Sequence, residues 1–177
     1  MESPILAPCS LADLETLQQL SRQTFSDSFE AQNDPEDFRK YLQEAFNPDR
    51  LRAELENPNS RFFFLRVADQ IAGYTKINTA GAQTELQDPH GMEIERIYVL
   101  KSFQGRGLGS WMLRALQVLA VQEGMEYLWL GVWEENPDAI RFYLRHGFVT
   151  FGKHPYYIGS DRQMDWMMRF QLPPRDP

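Results

Sequence analysis

The chain has a single cysteine, Cys9, only three histidines, and no long apolar run. One cysteine excludes an internal disulfide. His90, His146 and His154 are scattered at no metal-ligand spacing, so no metal site is expected. No stretch reaches the roughly 18 apolar residues of a membrane helix. The start, Met-Glu-Ser-Pro, lacks the basic region and apolar core of a secretory leader, and a cytoplasmic chain is the expectation. A basic patch is also missing. Lys and Arg number 18 against 25 Asp and Glu, a net charge of −7, which argues against nucleic acid as a partner. Repeats and low-complexity segments are absent too. What is present is 177 residues, 42% hydrophobic and 13% aromatic, enough for one domain with a real core. That domain is expected over residues 1–172. Pro173, Pro174 and Pro177 mark a loose tail at 173–177.

Periodicity divides the chain. Ile5 to Pro8 reads as a short edge strand. Ser10 with Asp13 is a weak capping box opening a helix to about Phe25, striped by Leu11, Leu14, Leu17 and Leu20. Asp34-Pro35-Glu36-Asp37 starts a second helix to about Phe46, and Pro48-Asp49 a third, ending near Asn57-Pro58. Arg61 to Val67 and Ile71 to Ile77 read as a hairpin around Ala-Asp-Gln, followed by a polar loop at 79–91. A strand at 92–99, a glycine turn, a helix to about Glu123, a strand at 127–133 and a helix at 137–146 come next. Phe148 to Tyr157 and Gln163 to Phe170 close the order as an antiparallel pair.

The glycine turn carries the chemistry. Gly105, Gly107 and Gly109 stand at every second position between an apolar-alternating strand and a helix striped by Leu108, Met112, Leu116 and Leu119. Glycines let a backbone approach closely, and a helix N-terminus offers free N–H groups and a favourable dipole, so this is a phosphate-holding arrangement. It is not a P-loop, because no Gly-Lys-Ser/Thr follows. It is not a Rossmann fingerprint, because Ser110 occupies the third glycine position. A ligand-free glycine turn is the alternative. Further on, Asn136 is a good N-cap, Pro137 a good first helical residue and Gly147 a good stop. Asn136 and Tyr143, close to two turns apart, share a helix face.

Gln104-x-x-Gly107-x-Gly109 resembles the pyrophosphate-binding turn of the GNAT superfamily of N-acetyltransferases, with Gln at a place more often held by Arg. Asn136-x-x-Ala139-x-x-x-Tyr143-x-x-x-Gly147-Phe148 resembles the second half of the same fold. Within the superfamily, Leu17 to Ser21, Phe62-Phe63-Phe64, Ile71 to Tyr74, Glu93 to Val99 and Trp129 to Glu134 look like the bacterial PaiA-like spermidine/spermine acetyltransferases. The resemblance implies an α/β (α+β) fold: a mixed, mostly antiparallel sheet with splayed central strands, flanked by helices. It implies acetyl-coenzyme A as cosubstrate, bound by Ile97, Tyr98, Val99, Gln104, Gly105, Arg106, Gly107, Leu108, Gly109, Ser110, Asn136 and Tyr143. In the family, the main-chain N–H matching Val99 meets the acetyl oxygen, the asparagine contacts the pantetheine arm, and the tyrosine protonates the leaving thiolate.

An amine attacks a thioester only as the free base, while amines of pKa near 10 are mostly protonated at neutral pH, so a proton acceptor is needed. Glu95 is the candidate, acting through water. It lies four residues before Val99, so strand alternation puts it on the face of Val99; Glu93 shares that face and is second choice. Both carboxylates could instead simply pair with Arg96 or other nearby cations. Residues 26–60 hold nine acids and four bases, a net of −5. The resemblance puts this segment beside the acceptor mouth, where Asp34, Glu36 and Asp37 would attract a polycation such as spermidine. The expected partners are acetyl-coenzyme A and a small cationic amine, with no membrane and with a homodimer left open. A peptide N-terminus or another small amine as acceptor, and a non-catalytic acetyl-coenzyme A-binding module, are the alternatives.

Overall fold

The computed structural model describes residues 3–174. The first two residues of the chain start and the tail end, 175–177 with Pro177, lie outside the described residues. In chain order the elements are β1 (Ile5–Pro8), α1 (Leu14–Phe29), α2 (Pro35–Ala45), α3 (Pro48–Glu56), β2 (Ser60–Val67), β3 (Gln70–Thr79), β4 (Gly91–Val99), α4 (Leu108–Gln122), β5 (Tyr127–Trp133), α5 (Pro137–Arg145), β6 (Val149–Ile158) and β7 (Asp161–Gln171). The strands form one mixed sheet in the order β1-β2-β3-β4-β5-β7-β6. Only β4 and β5 run parallel; every other neighbouring pair is antiparallel. Mixed, mostly antiparallel and helix-flanked, this is the expected fold class.

Both faces of the sheet are covered, and the run Phe62-Phe63-Phe64 shows how. Alternation sends Phe62 and Phe64 to one face, with Leu17, Leu20, Phe38 and Leu51 of α1–α3 and with Phe46, which follows α2. Phe63 goes to the other, with Leu113, Leu116 and Ala120 of α4 and, partly buried, Ile140 and Tyr143 of α5. Helix starts follow their caps. Asp34 accepts from the N–H groups of Glu36 and Asp37, and Asn47 from Asp49, each followed by proline. The Ser10–Asp13 box forms, with the Ser10 N–H 2.8 Å from Asp13 Oδ2, but it closes a single 3-10 turn before α1.

Two departures from the periodicity matter. First, α1 runs on to Phe29, where Phe25 and Phe29 pack together with ring centroids 4.8 Å apart. Second, β4 carries a bulge. Lys76 pairs with Arg96 and Ile77 with Ile94, so Glu95 is an extra residue without a partner on β3. No helix among the described residues is long and apolar enough to cross a membrane.

Candidate functional site

The sheet opens in its middle. The parallel pairing of β4 and β5 covers only Gly91↔Tyr127, Met92↔Leu128 and Glu93↔Trp129, and then the strands part. Beyond that point the edge of β4 facing β5 has no strand partner. The Leu100 N–H bonds the Ala72 carbonyl on the β3 side. By alternation the backbone groups of Ile97 and Val99 point the other way, into the gap. A cavity of about 310 Å³ fills the gap, and Ile97, Val99, Gln104, Asn136 and Tyr143 line it.

Gln104, the residue before the glycine turn, lines this cavity; Gly105 to Ser110 do not. Gly105 and Gly107 adopt φ of +75° and +73°, which favours glycine, and nothing stands within 4 Å of where their Cβ atoms would sit. No side chain caps α4, and its first helical bond runs from the Trp111 N–H to the Gly107 carbonyl. The N–H groups of Leu108, Gly109 and Ser110 therefore have no helical acceptor and remain available to an anion. Leu108 itself is buried with Met112, Leu65 and Ala72 and anchors the helix start. A Cβ on Gly109 would meet Phe142 at 3.4 Å, so this glycine lets α4 and α5 approach. Gln104 donates from Nε2 to the Val99 carbonyl, 2.9 Å away, tying the turn to the strand end. Arg106 donates to the Ser102 carbonyl and lies over the Phe103 ring, and it does not line this cavity.

The wall opposite comes from α5. Asn136 accepts the Ala139 N–H on Oδ1 as N-cap, and Gly147, at φ +84°, ends the helix. Tyr143 is half-buried between Phe142 and Phe148. Burial pushes its phenol up to about 12, and its hydroxyl bonds to no described residue. It remains protonated through neutral pH with its donor unused.

Glu95 is arranged differently from the expectation. The bulge breaks the alternation that put it on the face of Val99. The side chain of Val99 packs toward α4 with Leu108 and Met112, whereas Glu95 lies on the α1–α3 face. There it meets Lys76 Nζ at 2.5 Å, Asn78 Nδ2 at 2.6 Å and Arg96 Nη2 at 3.4 Å. Burial opposes its charge, but Arg96 and Lys76 outweigh it and hold the carboxyl down at about 2. Glu54 completes this buried network at 3.1 Å from Lys76. Glu93 shares the Asn78 amide and accepts from the N–H and hydroxyl of Thr84; its carboxyl is raised, chiefly by burial. Tyr98 also lies on the α1–α3 face, where it lines both cavities. Its backbone pairs with Tyr74, and the two rings stack 5.8 Å apart.

A second cavity, of about 350 Å³, opens on the α1–α3 face. The two cavities share Phe25, Glu95, Tyr98, Gly131, Tyr156 and Asp165, so they meet through the gap. Tyr41 and Tyr156, joined hydroxyl to hydroxyl, form part of its wall. His154 and Asp165, cross-strand partners on β6 and β7, stand over Gly131. Glu95 and Tyr98 were sequence candidates; Tyr41, Tyr156, His154 and Asp165 were not. Asp165 left a signal, as a lone acid in the run Met164-Asp165-Trp166-Met167-Met168. Tyr41, Tyr156 and His154 left none, because only folding brings them together.

Asp34, Glu36 and Asp37 are not brought to either cavity. Asp34 is spent on capping α2, Glu36 pairs with Lys40 at 2.8 Å, and Asp37 accepts from Ser160 at 2.9 Å. They occupy the first turn of a helix whose N–H groups draw carboxylates to themselves.

Residues 15–148 match the Acetyltransferase (GNAT) family. An uncharacterized N-acetyltransferase of Lactobacillus delbrueckii subsp. lactis is 43% identical over 160 residues, 90% of this chain and 92% of its own length. A spermine/spermidine N(1)-acetyltransferase of Bacillus subtilis is 41% identical over 61 residues, 34% of this chain and 40% of that one. The solved structure of a PaiA N-acetyltransferase from Thermoplasma acidophilum, in complex with coenzyme A, aligns with a TM-score of 0.76 at 17% identity, covering 96% of this chain and 99% of that one. At that identity it speaks to the fold.

Proposed function

The chain belongs to the acetyltransferase (GNAT) family, and on that premise we propose that it transfers the acetyl group of acetyl-coenzyme A to a primary amine of a small polycation, spermidine or spermine, by direct attack in a ternary complex. The observation that carries this reading is a gap reached from both faces of the sheet. Tyr143, whose hydroxyl bonds to no described residue, and Gln104, which precedes the glycine cradle, line it on one side, and a cavity of carboxylates and aromatic rings lies on the other.

The cradle fits a pyrophosphate. Two left-handed glycines leave open space, and three N–H groups at the start of α4 are without helical acceptors. Acetyl-coenzyme A supplies the activated acyl carbon. The N–H groups of Ile97 and Val99 serve the arm and the acetyl oxygen, where donors fixed in advance stabilise developing negative charge. Asn136 keeps its amide donor for the arm, since its oxygen caps α5. Tyr143 gives its proton to the departing sulfur.

The polycation reading draws on the second cavity, whose wall holds Glu85, Glu93, Glu95 and Asp165 against two arginines, Arg50 and Arg96. The rings of Tyr41, Tyr98 and Tyr156 add faces that attract cations. The partial likeness to the Bacillus spermine/spermidine enzyme points the same way. Glu95 serves here as a fixed negative charge, since a carboxyl held near 2 is a weak base. We take residues 1–172 as the catalytic unit.

The test is release of free thiol from acetyl-coenzyme A with a panel of amines. Spermidine and spermine are expected to be turned over most efficiently. A peptide amino terminus acetylated far better than either would replace the polyamine reading. Binding of acetyl-coenzyme A with no thiol release for any amine would leave a non-catalytic module.

A further inference from the structure

The gap holds a second carboxylate that no described residue satisfies. Asp165 lines both cavities at their junction, half-buried, and no hydrogen bond or ion pair reaches its side chain among the described residues. A carboxylate partly withdrawn from bulk water and without a donor among the described residues is open to a donor that enters the cavity. The space in front of it exists because β5 has a glycine there. A Cβ on Gly131 would lie 3.2 Å from Asp165 Oδ2 and 3.1 Å from His154 Nε2, so any side chain would crowd this niche. Gly131 is exposed on a strand otherwise mostly buried. His154 is held from behind, with Nδ1 3.1 Å from the Pro155 carbonyl and 3.2 Å from Glu85 Oε1, which leaves Nε2 toward the niche.

Resting on the acetyltransferase reading, we propose that Asp165 is the base that takes protons from the acceptor amine, with His154 and Glu85 as the route by which they leave. The ammonium of the acceptor enters the niche over Gly131 and gives one proton to Asp165. That proton passes to His154 Nε2, and His154 releases its Nδ1 proton toward Glu85 at the surface. The free nitrogen attacks the acyl carbon, the C–N bond forms and the C–S bond breaks with its electron pair on sulfur. The nitrogen's second proton goes to the emptied Asp165. The sulfur takes its proton from Tyr143, which solvent restores. The nitrogen loses two protons, the sulfur gains one, and one is released overall.

Burial fits this role by raising the Asp165 carboxyl to about 6, the range of a working base near neutral pH. The ionisable groups around it are His154 and Tyr156 from β6, Glu134 beyond β5, and Glu95 and Tyr98 from β4. His154 lowers its pKa, and Glu134 raises it.

The experiment measures steady-state kinetics of wild type, Asp165→Asn and Gly131→Ala with acetyl-coenzyme A and the best amine of the panel, from pH 6 to pH 10. Calorimetric titration with acetyl-coenzyme A reports on the folded state. Asp165→Asn is expected to lose about 100- to 10,000-fold in kcat/KM at pH 7. Its deficit should shrink toward pH 10, where the amine arrives unprotonated, and its affinity for acetyl-coenzyme A should be unchanged. Gly131→Ala is expected to raise the amine KM several-fold with the same cosubstrate affinity. Wild-type kcat/KM at pH 7 in Asp165→Asn overturns the proposal, as does a deficit equal at pH 7 and pH 10, the mark of a structural role. If the wild-type protein turns over no amine, the acetyltransferase reading fails and this proposal with it. Turnover by wild type with an indifferent Asp165→Asn fails the proposal alone.

Discussion

Glu95 on β4 and Asp165 on β7 line the same two cavities in opposite conditions. Glu95 is saturated by an ammonium, an amide and a guanidinium, and its carboxyl is held near 2. Asp165 has no hydrogen-bond donor among the described residues and is raised to about 6. The first pattern stabilises the fold and supplies a permanent charge. The second costs stability and leaves a group able to exchange protons. Position in the cleft therefore does not identify a base; the partners already taken do.

The largest expected effect breaks the saturated side. Glu95→Gln leaves Lys76 and Arg96 buried, with side chains 5% and 9% exposed, opposite only Glu54. Breaking a buried pair costs about 3–5 kcal/mol, and denaturant melts at pH 7 should show a loss of that order. The folded pKa of Glu95 lies below its ordinary 4.5, so its contribution is present above that pH and fades as pH falls toward 2. Wild type and variant should converge over that acid range; melting midpoints that coincide at pH 7 would refute the anchoring role.

Next is Tyr143→Phe, which acts on the opposite face of the gap. Its phenol is raised to about 12 and its hydroxyl bonds to no described residue, so on the proposed mechanism the substitution removes only the proton for the sulfur. A fall of about 100-fold in kcat, some 2.7 kcal/mol of barrier, is expected with little change in melting. Unchanged turnover would make Tyr143 a packing residue.

Asp165→Asn sharpens the contrast through stability. The folded pKa lies above the ordinary 3.8, so the native state loses stability as pH rises from there to about 6. Removing the charge should stabilise the protein by about 1–3 kcal/mol at pH 7 and by nothing near pH 3.5. This variant should be the more stable and the less active, and a destabilised Asp165→Asn would contradict that strain.

The smallest effects lie outside the cavities. The KM for spermidine should rise modestly with ionic strength, since exposed charges are screened over about 8–10 Å near physiological salt. Replacing Glu36 and Asp37 by Gln and Asn should barely change that KM, because neither reaches a cavity. A large rise would return the acceptor site to the start of α2.

The sequence by itself determined the element order, the phosphate-ready turn at Gly105–Gly109, the cap at Asn136 and the tyrosine two turns on. These depend on interactions within a few residues: glycine φ, a side-chain cap, a helical period. Helix α1 outran its expected end because packing of Phe25 and Phe29 on other elements carried it further. Only the tertiary structure decided which carboxylate is free. The bulge that turns Glu95 onto Lys76 exists only when β3 pairs with β4. The niche at Asp165 needs β5, β6 and β7 side by side, and the Tyr41–Tyr156 contact joins residues 115 positions apart. A carboxylate's basicity is set by the charges and donors around it in space, and chain-local patterns do not encode that neighbourhood.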